Sequence, residues 1–148
     1  MDAPPTTDPP AFDPSAIRFV LCDLDGVVWL GGVAIPGAPE AIARVRASGR
    51  RVLFVTNNSM SPVGRVEERL AAIGIPAEGD VVTSAQAAAS LVEAGERVRI
   101  AGGPGVVEAV AARGAAAVTF DDDPDGDTDA LIVGLHQDLD YWLSLIHI

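Results

Sequence analysis

The chain contains no lysine; all ten basic residues are arginine. It contains one cysteine, Cys22, which excludes an internal disulfide and fits a reducing, cytoplasmic compartment. No apolar run approaches the roughly 20 residues that a membrane span needs. Positive charge is scarce overall. The formal net charge is −11, which disfavours nonspecific association with nucleic acid polymers or an anionic membrane. The excess is uneven. Nine of the 21 acidic residues lie at Asp2, Asp8 and Asp13 and in the run from Asp121 to Asp129. The body between them is closer to neutral. A local anion site stays compatible with this balance, because such sites use backbone N–H groups and a metal.

What is present is globular. At 148 residues, 49% of them apolar, the chain has the length of about one domain. It can bury roughly two thirds of its unfolded surface. The opening "MDAPPTTDPPAFDPSA" has no basic or apolar segment of a secretory signal, and residues 1–15 read as a disordered tail. Ile17 to Leu21, interrupted only by Arg18, reads as a strand buried on both faces. Val27 to Gly37 reads as a hairpin turning at Gly31-Gly32. Pro39 suits the first turn of a helix that Gly49 stops. "RVLFVT", Arg51 to Thr56, is a second buried strand. Ser61 is expected to cap the next helix, Pro62 to open it and Gly74 to end it. Val81-Val82 is a short strand, and Thr83 or Ser84 caps the helix "AQAAASLVEAG". Strand "RVRIA", helix "GVVEAVAARG", strand "AAVTF", an acidic loop and strand "ALIVG" complete the order. Strands alternating with helices imply an α/β fold with a mostly parallel sheet. The final "DLDYWLSLIHI" stops inside what reads as a new helix, and Leu143, Leu145, Ile146 and Ile148 call for a partner. The expectation is a truncated chain.

The chemistry concentrates in "RFVLCDLDGVVWL". In open parallel sheets, ligands bind beyond the carboxyl ends of the strands. Asp23 and Asp25 fall at that end of the first strand, and residues i and i+2 of an extended segment point the same way. Gly26 permits a sharp turn beside them. Two close carboxylates repel unless a cation lies between them or one holds a proton. Mg²⁺ prefers oxygen ligands and often bridges to phosphate. A carboxylate can attack phosphorus, and a second acid can protonate the leaving oxygen. The end of the next buried strand supplies Thr56, Asn57 and Asn58, whose hydroxyl and amides suit phosphate oxygens. Alone, the first motif also reads as a turn with solvated acids, and the second as a helix-capping loop. Together, each at the end of a buried strand, they point to function.

"DLDGVVWLGGVAIPGAPEAI" and "FVTNNS" resemble the haloacid dehalogenase-like superfamily. More narrowly, they resemble its C2-capped class IIA branch, the NagD-type phosphatases. The resemblance runs from about Ile17 to Tyr141. It implies a partial Rossmannoid parallel-sheet core over 16–95 and the beginning of a C2-type α/β cap over 96–148. It implies that Asp23 is the nucleophile and a Mg²⁺ ligand. Asp25 would be the general acid/base, with its backbone carbonyl also on Mg²⁺. Thr56 and Asn57 would bind phosphate, with Asn58 beside them, and the hairpin would be a flap near the catalytic loop. The substrate would be a small phosphorylated metabolite, and a homodimer through the cap is plausible. The family pattern also needs a lysine after the cap and a late acidic motif. Neither is found here, so the expectation is the N-terminal half of such an enzyme, weakly active or inactive by itself. Two rival readings stay open: a non-catalytic phosphate-ligand-binding or interaction module, and a phosphotransferase or mutase on the same chassis.

Other signals are weaker. Asp121, Asp123, Asp125 and Gly126 imitate the start of a calcium-binding loop, but Ile132 stands where a bidentate glutamate belongs. A solvated loop is expected. Gly103-Pro104-Gly105 leads to Glu108 rather than to a third glycine, and reads as a tight strand-to-helix turn. Cys22 reads as a buried structural thiol. His136 and His147 lack metal-ligand spacing. Trp29 either lines the substrate entrance or packs, and Trp142 is expected to pack on the cap.

Overall fold

The computed structural model describes residues 13–120, 123 and 126–135. The expected terminal helix, Trp142, His136 and His147 fall outside the described residues, as do most of the tail and part of the acidic run. After a 3₁₀ turn at Pro14–Ala16, the chain forms β1 (Phe19–Asp23), a hairpin of β2 (Trp29–Leu30) and β3 (Val33–Ala34), and α1 (Ala38–Ala47). It continues through β4 (Arg51–Thr56), α2 (Val63–Ala72), β5 (Val81–Thr83) and α3 (Ser84–Ala89). Then follow β6 (Arg97–Ala101), α4 (Pro104–Ala112), β7 (Ala116–Thr119) and β8 (Ala130–Val133). The order is the one the sequence predicts. The strands form two parallel three-stranded sheets, β1-β4-β5 and β7-β6-β8, with the hairpin separate.

Each sheet has its own apolar cluster. Phe54, Val52, Leu70 and Ile75 centre the first, joined by Leu24, Val28 and Trp29 from the segment after β1. Val98, Ile100, Val106 and Val110 centre the second, and Ala85 and Ala89 of α3 pack into it. The small alanines let α3 and α4 lie close together. The hairpin turns at Gly31-Gly32 as expected, with φ of 59° and 86°, values that favour glycine.

Three local readings are corrected. Strand β1 is not buried on both faces: Phe19 is 56% exposed and Leu21 68% exposed, while Val20 and Cys22 pack inward. The open face continues across the sheet: Arg51, Leu53 and Val55 of β4 and Val82 of β5 are not buried either, whereas Val52, Phe54 and Val81 are. Continuous apolarity cannot distinguish that case from full burial. The residue at the cap position of α2 is Pro62, and no side chain there caps the helix. Instead Glu108 of α4 accepts the Val63 N–H at 3.0 Å. A carboxylate from a neighbouring helix thus does the work assigned to Ser61. The predicted third helix is also shorter, ending at Ala89. Its start is as expected: Thr83 accepts the Gln86 N–H and Gln86 accepts the Thr83 N–H, a reciprocal capping box.

Candidate active site

Parallel pairing sets Asp23 opposite Val55 and Thr56 opposite Thr83, so the carboxyl ends of β1, β4 and β5 are level. Asp23 and Asp25 are exposed, and Leu24 between them is fully buried. This alternation sends both carboxylates to the side away from the core, as the i, i+2 argument requires. The segment then closes on itself. Leu24 C=O accepts the N–H groups of Val28 at 2.9 Å and Trp29 at 3.1 Å, and Trp29 C=O accepts the Gly26 N–H at 2.7 Å. Gly26 has φ of 83°, which makes this closure strain-free only for glycine. Buried Val28 and Trp29 anchor the loop in the first cluster.

Each carboxylate has one oxygen engaged. Asp23 Oδ1 accepts the Leu24 N–H at 2.9 Å. Asp25 Oδ1 accepts the Trp29 indole N–H at 2.9 Å. Burial, and secondarily the Asp23 charge, push the neighbouring Cys22 thiol up. Its side chain packs against the first cluster, as a structural thiol does.

The Thr56–Ser61 loop is ordered by its own side chains. Buried Thr56 accepts the Asn58 N–H on Oγ1 at 3.1 Å. Asn58 Oδ1 accepts the Met60 N–H at 2.9 Å and the Ser61 N–H at 3.4 Å. Asn58 thus shapes the loop, whereas Asn57 is exposed and its carbonyl accepts the Ser84 hydroxyl at 2.8 Å.

The sequence reading missed how the second sheet buttresses this loop. Gly105 donates its N–H to Met60 C=O at 2.9 Å, and Ser59 Oγ accepts the Leu135 N–H at 2.7 Å. A Cβ on Gly103 would lie 2.9 Å from Met60 Cα, and one on Gly105 2.5 Å from Ser61 O. The turn after β6 is tight, as expected, but its glycines serve a close approach of two backbones. The Gly-Pro-Gly spelling carried that signal without naming its partner. In the acidic loop, Asp123 pairs with Arg97 at 2.8 Å, Asp129 accepts the Arg97 N–H at 2.8 Å, and buried Arg99 bonds the Asp123 carbonyl. These described acids hold the loop to β6.

The donor chemistry at β1 suits a hard cation. Asp23 and Asp25 each keep a second carboxylate oxygen with no partner among the described residues. No group of three acidic, histidine or cysteine side chains forms among those residues. The free oxygen of Asp23 and the backbone carbonyl of Asp25 are hard donors of the kind that a Mg²⁺-like ion takes, with the free Asp25 oxygen left beside them. No helix among the described residues is long and apolar enough to cross a membrane.

The model of the haloacid dehalogenase-like hydrolase family matches residues 20–116. The chain belongs to that family, in the NagD-type, class IIA branch that its motifs resemble. It is similar to D-glycerol 3-phosphate phosphatase of Mycobacterium tuberculosis, with 41% identity over 122 residues, covering 78% of this chain and 33% of that protein. The crystal structure of glycerol phosphate phosphatase from the same organism in complex with magnesium superposes with a TM-score of 0.73 at 36% identity. That match covers 85% of this chain and 38% of the other. NagD from E. coli K-12 gives a TM-score of 0.73 at 25% identity, covering 88% of this chain and 50% of the other. The chain therefore spans from a third to a half of the length of these proteins.

Proposed function

We propose that the whole protein is a Mg²⁺-dependent phosphatase of small phosphorylated metabolites. The observation that carries this reading is the exposed Asp23–Asp25 pair at the end of β1, with buried Leu24 between them, beside the Thr56–Asn57 end of β4. In this reading Asp23 attacks phosphorus and Asp25 gives its proton to the departing alkoxide, leaving an aspartyl-phosphate. Asp25, now a carboxylate, takes a proton from water as that water attacks the phosphoryl group. Asp23 is released with inorganic phosphate, and Asp25 is again protonated. Thr56 and Asn57 bind the phosphoryl oxygens, and Asn58 holds their loop. Asp23 and the Asp25 segment would hold Mg²⁺, which supplies charge neutralisation at the phosphoryl oxygens when bound.

The first sheet carries these groups, and residues from about 96 onward are assigned to the cap. The relatives named as glycerol phosphate phosphatases, one of them solved with magnesium, support the reaction class and make glycerol 3-phosphate the first substrate to assay. Phosphate release that requires Mg²⁺ and disappears in Asp23→Asn is the expected result. Equal release from Asp23→Asn rejects the mechanism. The lack of lysine favours a second reading for this stretch alone, phosphate binding without turnover. Stabilisation by millimolar Mg²⁺ and phosphate with no phosphate release supports it; no thermal shift excludes it.

A further inference from the structure

Trp29 is 3% exposed, yet its one polar atom is not buried without use: the indole N–H donates to Asp25 Oδ1 at 2.9 Å. An indole N–H is a donor only, so this oxygen can only accept. Over the face of the ring lies Arg69 of α2, its guanidinium carbon 4.7 Å from the ring centroid. The same guanidinium fills the space beside the hairpin turn. A Cβ on Gly32 would lie 2.9 Å from Arg69 Nη2. Helix α2, the hairpin and the Asp25 loop therefore meet at one aromatic ring, and the Leu24–Trp29 backbone bonds fix the ring relative to Asp25.

We propose that Trp29 is a positioning residue for Asp25, held in turn by Arg69. The indole claims Oδ1, so Oδ2 is the carboxylate oxygen left for the reacting proton. Without the N–H, the carboxylate is free to rotate about its Cβ–Cγ bond. This assignment rests on the phosphatase reading for its consequence, but its geometry does not. Partners that orient a reacting group typically contribute about 10–100-fold, and a rotated general acid loses rate rather than substrate binding.

The experiment has two arms. In the first, the indole N–H resonance of Trp29 is followed by NMR in this chain at fixed pH, with Trp142→Phe assigning the two indoles. Asp25→Asn and Asp25→Ala are expected to move the Trp29 resonance and speed its exchange with water, while Asp23→Asn leaves it nearly in place. A Trp29 resonance indifferent to Asp25→Ala overturns the proposal. In the second arm, Trp29→Phe keeps the ring over Arg69 and removes only the N–H. In the whole protein, kcat is expected to fall about 10–100-fold with KM within about twofold. An unchanged kcat in the folded variant also overturns it. Absence of turnover in the unsubstituted protein defeats the phosphatase reading instead, and the first arm still decides the geometry.

Discussion

Gly64 and Gly105 occupy the same place in two helices, the second residue of α2 and of α4. Intrinsic propensity makes one claim for both: alanine is better than glycine in a helix by up to about 1 kcal/mol. The surroundings differ. A Cβ on Gly64 meets nothing within 4 Å. On Gly105 it would lie 2.5 Å from Ser61 O, 2.6 Å from Ser59 O and 2.8 Å from Ser61 C. These are backbone atoms of the Ser59–Ser61 loop, so no flexible side chain can swing away. Overpacking of this kind costs about 1–3 kcal/mol, and pushing the loop back also strains the Gly105–Met60 hydrogen bond, which contributes about 1 kcal/mol. Gly105→Ala should therefore lose about 2 kcal/mol net, and Gly64→Ala should gain about 0.5–1 kcal/mol. Urea unfolding followed by circular dichroism measures both, and the thermal midpoint should fall by about 5–10 °C for Gly105→Ala. A Gly105→Ala protein as stable as the parent would refute the claim that these glycines exist for backbone contact.

Four further outcomes follow from the same reasoning. Thr83→Ala removes the capping box of α3 and should cost about 1 kcal/mol in urea unfolding; no change would show that α3 is held by packing alone. Phe54→Ala empties a fully buried site between β1 and β5 and should cost about 3–5 kcal/mol by the same assay. Asp80 pairs with both Arg46 and Arg51 at partly exposed positions, so Asp80→Ala should cost less than about 1 kcal/mol and less still in 1 M salt. Asn58→Ala should weaken phosphate binding by disordering the loop, whereas Asn57→Ala should weaken it by removing a ligand. Only Asn58→Ala should also lower the thermal midpoint.

Much of the architecture was legible because its signals are local. Pro39, Gly49 and Gly74 punctuate helices, and Gly31-Gly32 can hardly do anything but turn. The carboxylates were legible because alternation along a strand is a two-residue rule. What escaped required knowing who lies opposite. The exposure of Phe19 and Leu21 depends on which face of the sheet is covered, which apolarity alone cannot report. The cap from Glu108 reaches Val63 across 45 residues of sequence. Trp29 could not be assigned to entrance or core until its ring was seen in the first cluster with its N–H on Asp25. It turned out to pack and to touch the site at once. The glycines after β6 announced a close approach, and only the fold showed that Ser59 to Ser61 make it.

The proposed mechanism turns on covalent phosphorylation of Asp23. Acid quenching of the whole protein during turnover of glycerol 3-phosphate with Mg²⁺, followed by peptide mapping by mass spectrometry, tests it most directly. A phosphoryl group is expected on the peptide carrying Asp23, absent in Asp23→Asn and formed far more slowly in Asp25→Asn, where the first step lacks its acid and the second its base. Steady phosphate release with no adduct on that peptide, or an adduct on another residue, would contradict it.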